Sequence, residues 1–591
     1  MERLNYPRPQ FIRENFVDLN GEWQFCFDDE NIGELNQNYL NDEFYQMTIQ
    51  VPYSYHTKSS GIGLNEDHPI VWYKRTIQIE VKENKAYVLH FGAVDYKCDL
   101  YIDGKHIFTH QGGHTPFDVD ITRYISGNEF TLIIRCEDYN LCTQPIGKQS
   151  WKDSNFLCWY TRTVGIWQTV WMEEVGQTYL TNFRMTPQID NATLDIDAFI
   201  NQDDKEVWLK GEIYFEGEFI TKFMTSFKGQ RARISVDVSS SSPNFRLNFW
   251  HPTSPNLYDI HFTLVKNHEV LDEVKSYFGM RRIDVVGNKV YLNNQEFYQK
   301  LILDQGYFKD GGLTGTVEEL KRDVEYIKAM GFNGARKHQK IEDYRYAYLC
   351  DKLGLVMWAE MPSSFEYSVV TNENVVRELH AFINKHYNNP SVICYTLLNE
   401  SWGINEVYSD KAEQNFINGL YYLTKSLDTS RLVVGNDGWE QSLTDILTVH
   451  DYNSYEDSLR DSYKDITEAA NGSPSRTSVR HCLNEGYQYD GGPFMISEFG
   501  GVAYNTQETE EKESWGYGER LIGKEAVVNK IKALHEAVMD IEGCCGFCYT
   551  QLSDVEQEIN GLLDHEHNPK FDIEEIKDIL WYKHNLGFVF K

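Results

Sequence analysis

No stretch of this sequence is apolar over the roughly twenty residues that a helix needs to cross a bilayer, so a membrane-spanning role is not expected. Positive charge is scarce: 56 Lys and Arg stand against 89 Asp and Glu, and the formal charge of −33 argues against a nucleic-acid partner, because phosphate backbones would be repelled. The segment from Met1 to Phe11 mixes charge, Pro and single apolar residues and lacks the continuous apolar core of a secretory signal. Disulfide spacing is missing as well. The cysteines number eleven, an odd count, and several, such as Cys394 and Cys548, sit in apolar runs, which reads as buried reduced thiols in a cytoplasmic protein. Cys545 and Cys548 spell CxxC beside Cys544, but 543–550 reads as a buried strand and no second CxxC accompanies it, so neither a metal nor a redox pair is expected there. Repeats and low-complexity tracts are absent too.

What is present is burial material. Hydrophobic residues make up 41% and aromatics 14% of 591 residues, enough for several cores and for flat apolar platforms. A chain of this length divides into about three or four units. From Trp23 to Trp171 short alternating runs, such as 72–79 and 87–91, are punctuated by turns at Asp103-Gly104 and Gly112-Gly113, the pattern of a jelly-roll-like β-sandwich. Runs at 194–200, 207–215 and 260–265 suit a second, smaller Ig-like β-sandwich. Beyond Arg281 strands alternate with amphipathic helices. One helix is well marked: Thr316 and Glu319 form a capping box, Leu320, Val324 and Ile327 an inward stripe, and Gly331 a stop. Eight apolar runs, near 297–303, 333–336, 355–359, 392–397, 432–434, 446–449, 494–496 and 546–550, predict a C-terminal (β/α)8 TIM barrel. The expected domains are therefore 1–177, 178–280 and 281–591.

In such a barrel the chemistry sits where strands end. Those ends carry Asp304, Arg336 with His338, Glu360, Asn399 with Glu400, Asp437, His450 with Tyr452, Glu498, and Tyr549 with Gln551. Glu400 and Glu498 directly follow strongly apolar strands, which points both across one barrel mouth. Glycosidic cleavage needs such a pair, one carboxyl donating a proton to the leaving oxygen and one carboxylate attacking or stabilising the oxocarbenium-like centre. Asn399, next to Glu400, is placed to hold a sugar hydroxyl beside the scissile bond.

Several motifs together resemble glycoside hydrolase family 2. They are Arg8-Pro9, Leu19-Asn20-Gly21-Glu22-Trp23, Val51-Pro52, Trp72-Tyr73-Lys74-Arg75, Asp103-Gly104, Gly112-Gly113 and Gly165-Ile166-Trp167, which look like the family's sugar-binding sandwich. Asn389-Pro390-Ser391-Val392 leading to Asn399-Glu400 is similar to its acid/base signature, and Ser497-Glu498-Phe499-Gly500 to its nucleophile signature. The resemblance runs over essentially the whole chain in the family's domain order. It implies a cofactor-independent, retaining exo-β-glycosidase in which Glu400 is the acid/base, Glu498 forms the glycosyl-enzyme, Asn399 holds the sugar 2-hydroxyl and Tyr452 touches the nucleophile. It also implies a homo-oligomer.

Departures from the family pattern bear on the sugar. Arg336-Lys337-His338-Gln339-Lys340 replaces Arg-x-Ser-His at the second strand, and Tyr549 stands where a Trp platform is usual. Asp304, Arg336, His338, Lys340, His450, Tyr452, Tyr549 and Gln551 are the expected substrate contacts. Asn568-Pro569-Lys570 spells the Asn-x-Lys carboxylate clamp of β-glucuronidases but falls where relatives have a basic turn, and is read as a turn. Glu378-Leu379-His380 spells a Mg²⁺ pair of metal-dependent galactosidases but lies in an apparent helix over 375–386, where it reads as a helical surface pair, and no metal is expected. A β-galactoside leads on family prevalence. A β-hexuronide, glucuronide or galacturonide, is the rival, and needs a basic clamp on the sugar carboxylate. A catalytically silent carbohydrate-binding protein is the reading from another class, and transglycosylation in place of hydrolysis stays open.

Overall fold

Alternating side chains build the first two units of the computed structural model, which describes residues 2–239, 247–472, 480–504, 514–518 and 520–581. A six-stranded and a four-stranded antiparallel sheet enclose Trp23, Phe25, Tyr73, Leu89, Leu100 and Ile134. Lys97–Ile102 and Lys105–Gln111 form a hairpin through Asp103 and Gly104, both at positive φ (49° and 76°), the pairing whose twist suits a two-residue turn. In the second unit Thr193–Ile200 turns Leu194, Ile196, Ala198 and Ile200 inward, and a three-stranded and a four-stranded sheet share that core.

Arg13 ties these two units together. It is buried and donates from Nε to Asp272 Oδ1 at 2.9 Å, from Nη2 to Asp272 Oδ2 at 2.8 Å, and to Glu173. Burial alone would raise the Glu173 pKa, yet His90 and Arg13 hold its carboxyl well below the usual range. Removing the guanidinium strands two buried carboxylates, so Arg13→Met is expected to cost about 3 kcal/mol. A lowered midpoint of thermal unfolding is the readout, and an unchanged midpoint refutes it.

The third unit is the barrel. Its strands are β1 Gln299–Asp304, β2 Gly334–Lys337, β3 Val356–Glu360, β4 Val392–Asn399, β5 Leu432–Asp437, β6 Leu447–His450, β7 Phe494–Gly500 and β8 Cys544–Thr550. The parallel ladder runs β5-β4-β3-β2-β1-β8-β7-β6, with β5 and β6 adjacent at the seam. Each strand is buried on both faces, which is why it reads as a continuous apolar run rather than an alternation. Leu301, Leu303, Trp358, Ile393, Met495 and Cys548 fill the interior, and Ile283, Val290 and Leu292 of a short hairpin join that cluster. Ile302, Ala335, Met357, Ile496 and Phe547 point the other way, onto the helices.

Helix α1 (Val317–Ala329) begins with the expected capping box at Thr316 and Glu319 and buries Leu320, Val324 and Ile327. Helix α2 spans Tyr344–Leu353. Helix α3, expected from Val375, already starts at Val369. Ser368 caps it by accepting from Thr371 N, and the exposed Val369 and Val370 hide that start from a periodicity argument. All eleven cysteines are unpaired, and the CxxC lies inside β8. Among the described residues no helix is long and apolar enough to cross a membrane.

Candidate active site

Strand β4 delivers Asn399 and then turns sharply, with Glu400 and Ser401 at positive φ (52° and 57°). The end of β5 (Leu432–Asp437) holds that turn: Glu400 N donates to Asp437 O at 2.9 Å, and Ser401 N to Asn436 Oδ1 at 3.0 Å. On β7 the register slips by one residue between the pairs Val449↔Ile496 and His450↔Glu498. That bulge reverses the alternation, so Glu498 enters the barrel mouth while Ile496 and Phe499 pack among the helices. A carboxylate oxygen of Glu400 then lies within 4.8 Å of one of Glu498.

Arg336, fully buried at the end of β2, organises the floor. Its Nε donates to Glu360 Oε2 at 2.6 Å, Nη1 to Glu498 Oε1 at 2.8 Å and Nη2 to Asn399 Oδ1 at 2.6 Å, and Nη1 also pairs with Asp437 at 2.5 Å. Asn399 thereby keeps its carbonyl occupied and its buried Nδ2 without a protein acceptor among the described residues, available to a sugar hydroxyl. His450 bridges both carboxylates: Nδ1 is 2.7 Å from Glu400 Oε1 and 3.4 Å from Glu498 Oε2, and Nε2 is 2.9 Å from Asp437 Oδ2. Burial would lower the His450 pKa, but Glu498 and Asp437 push it up to about 10. Burial likewise would raise that of Glu498, but His450 and then Arg336 bring it down to about 2. Tyr452 donates to Glu498 Oε2 and stacks on Tyr517 at 3.4 Å between ring centroids.

Glu400, His450 and Glu498 are also the one described group of His, Cys or acidic side chains compact enough to hold a metal ion. Both ring nitrogens of His450 face carboxylates, the arrangement of an imidazolium, which has no lone pair for a metal. In α3, His380 bonds Asn384 on the exposed side, whereas Glu378 is buried against the backbone of His114, so Glu378 is not the surface residue expected of that pair.

Other expected contacts need correction. Asp304 shares the outward parity of Ile302 and bonds Lys337 (2.9 Å) and Tyr346 (2.8 Å), away from the carboxylate pair. Lys340 is occupied by Glu342 (2.7 Å) and the carbonyls of Gly306 and Leu313. Tyr549 shares the outward parity of Phe547 and packs on Phe499 and His535, so it is no platform for a sugar. Gln551 is spent on Gln305 (2.8 Å) and Asn560 (2.7 Å). Arg336 and His450 are both engaged by carboxylates. His338 pairs through Nδ1 with Glu360 at 2.9 Å. Lys570 is held by Asp554 at 2.7 Å and Asn568 N by Asp564, which makes Asn568-Pro569-Lys570 a turn.

The residues missed come mostly from elsewhere in the chain. The sandwich segment between Glu129–Glu137 and Gly165–Ile166 lies over the barrel mouth: Gly147 N donates to Ser363 O at 3.0 Å, Phe365 N to Cys142 O at 2.8 Å, and Tyr160 OH to Glu558. It brings Trp159 against Trp402, two residues past Glu400, with ring centroids 5.4 Å apart. The available signal was a long connection rich in Trp and Tyr, the kind of loop that tends to carry function.

The balance of charge at Glu498 predicts a pH effect. A neighbouring cation favours a carboxylate, so its removal raises that pKa. For His450→Gln, the acid limb of kcat/KM is expected to move up by about one unit or more, measured with an aryl β-glycoside. A limb that stays put contradicts the electrostatic role.

Family models described as glycosyl hydrolases family 2, sugar binding domain, glycosyl hydrolases family 2, and glycosyl hydrolases family 2, TIM barrel domain, match residues 16–172, 178–281 and 283–585. A beta-galactosidase of Thermoanaerobacter pseudethanolicus is 23% identical over 451 residues, covering 74% of this chain and 56% of that protein. The chain spans about half the length of such relatives. Among solved structures, a GH2 beta-galacturonidase from Eisenbergiella tayi bound to galacturonate aligns with a TM-score of 0.74 at 20% identity, over 98% of this chain and 99% of that one. A beta-glucuronidase from Ruminococcus gnavus in complex with D-glucuronic acid aligns with a TM-score of 0.77 at 18% identity, over 97% and 99%.

Proposed function

This chain belongs to glycosyl hydrolases family 2, and we propose that it is a retaining exo-β-glycosidase with Glu498 as nucleophile and Glu400 as acid/base. The observation that carries the mechanism is the close approach of the two carboxylates, with an oxygen of Glu400 within 4.8 Å of one of Glu498. Retaining enzymes hold their pair about 5 to 5.5 Å apart, whereas inverting enzymes leave a wider gap for water. In the first step a Glu498 oxygen bonds the anomeric carbon as Glu400 gives its proton to the departing glycosidic oxygen. Attack makes Glu498 an ester, which removes the negative charge that Arg336, His450 and Tyr452 balance. In the second step Glu400, now ionised, takes a proton from water, whose oxygen bonds the anomeric carbon and expels Glu498. Asn399, with a free Nδ2 beside Glu400, supports contact with the 2-hydroxyl. The sandwich segment over the mouth favours removal of one terminal sugar over cleavage within a chain. Eleven unpaired thiols support a reducing compartment such as the cytoplasm.

A β-galactoside and a β-hexuronide differ at C6, and the same carboxylate pair serves both. The test of the mechanism is therefore independent of the sugar: proton NMR of early hydrolysis should show the β-anomer of the free monosaccharide forming first. The α-anomer appearing first defeats the double displacement.

A further inference from the structure

Of the cations at the mouth, Arg336 and His450 each meet carboxylates within ion-pair distance. Lys148, from the sandwich segment, does not. It is 6% exposed, yet among the described residues no carboxylate oxygen lies within 4.0 Å of its Nζ. Buried lysines of the barrel find oxygen acceptors: Lys337 meets Asp304 at 2.9 Å, Lys340 Glu342 at 2.7 Å and Lys570 Asp554 at 2.7 Å, while Lys300 and Lys385, without a close carboxylate among the described residues, donate to Leu580 O and to Gln168 Oε1. The Lys148 ammonium instead sits 4.9 Å from the centre of the Trp402 ring, beside the Cys158 thiol, and feels Glu558, Glu498 and Glu400 at longer range. A buried ammonium without a close counter-ion is costly unless something else completes it.

Lys148 lies on the sandwich side of the mouth, next to Trp402. Tyr160, on the same segment, donates to Glu558, which also accepts from Asn560 Nδ2 at 2.9 Å. Glu558 is thus engaged by neutral donors, and burial keeps its pKa raised, so it is a poor counter-ion for Lys148. A pyranose with C1 at Glu498 carries its C5 substituent on the carbon next to the ring oxygen, within the same mouth that Lys148 lines. Lys148 is a cation free of a close carboxylate there, whereas Lys570 and Lys340, the cations considered from the sequence, are held by Asp554 and Glu342.

We infer that Lys148 is a specificity-determining residue that binds the carboxylate of a β-linked hexuronic acid, so that the sandwich domain, and not the barrel, selects the sugar. This rests on the glycosidase reading and names its substrate class. A charge-assisted contact with the ammonium replaces the missing counter-ion, whereas a hydroxymethyl group leaves it unmatched.

The experiment compares kcat/KM of the full chain on 4-nitrophenyl β-glucuronide, β-galacturonide, β-glucoside and β-galactoside, then on Lys148→Met and Lys148→Arg. One uronide is expected to exceed its neutral counterpart by about 30-fold or more, the size of a hydrogen bond to a charged group. Lys148→Met is expected to collapse that ratio, and Lys148→Arg to keep much of it. A neutral hexoside preferred by the parent protein overturns the inference even if the Met variant fails to fold, and leaves the glycosidase reading standing. An unchanged ratio in a folded Lys148→Met protein overturns it too. Turnover of none of the four, with no label on Glu498 from 2-fluoro glycosides of the same sugars, removes the glycosidase reading and this inference with it.

Discussion

Glu498→Gln is expected to lower kcat on an aryl β-glycoside by roughly 10⁵-fold, the scale seen when a covalent nucleophile is lost. The amide is nearly isosteric, and its oxygen can still accept from Arg336 Nη1, 2.8 Å away in the parent. What is lost is the negative charge and the lone pair that bonds the anomeric carbon. The surroundings are built for that charge: His450 and Arg336 hold the carboxyl at about 2 against the opposing effect of burial. Removing it leaves two cations short of an anion, so a modest loss of thermal stability should accompany the loss of rate. The decisive measurement is mass spectrometry after treatment with a 2-deoxy-2-fluoro β-glycoside of the preferred sugar. The parent protein should gain one glycosyl unit on the peptide containing Glu498, and the variant none. A label on any other carboxylate assigns the nucleophile elsewhere.

Glu400→Ala carries the second large effect, and its signature depends on the leaving group. With a poorly activated aglycone the variant lacks the proton donor, and glycosylation should slow by about 10³-fold or more. A dinitrophenyl aglycone needs little protonation, so its first step should be far less affected. The second step still lacks the base that activates water, so the glycosyl-enzyme accumulates and KM falls together with kcat. Azide, which needs no general base, should restore turnover and yield a β-glycosyl azide. His450 lies 2.7 Å from the Glu400 carboxylate, so it is the group most able to substitute as donor in part. Azide without effect, or equal losses on both aglycones, argues against Glu400 as the acid/base.

The eight barrel strands were legible because burial on both faces demands runs such as Val392–Asn399 and Phe494–Gly500, which stand out without any knowledge of partners. The capping box of α1 was legible for a similar reason, since its donors and acceptors lie within four residues. Parity at strand ends was not. Asp304 and Tyr549 occupy strand ends as plausibly as Glu498 does, but they fall on the outward face, and Glu498 turns inward only because β7 carries an extra residue opposite Val449 and His450. A bulge is a property of a strand and its neighbour together, so it leaves no local mark that a single chain segment reveals.

By itself the sequence determined the order of two sandwiches and a barrel, along with the two acidic residues that end β4 and β7, because periodicity and strand length are local consequences of which faces must be buried. Tertiary structure alone decided that Arg336 and His450 meet the carboxylates, that Lys340 and Tyr549 are turned away, and that Lys148, about 250 residues before Glu400, stands beside Trp402 at the mouth. Those outcomes depend on which charges and ring faces meet across the junction of separate domains, and Coulomb interactions act over distance in space, not over separation along the chain.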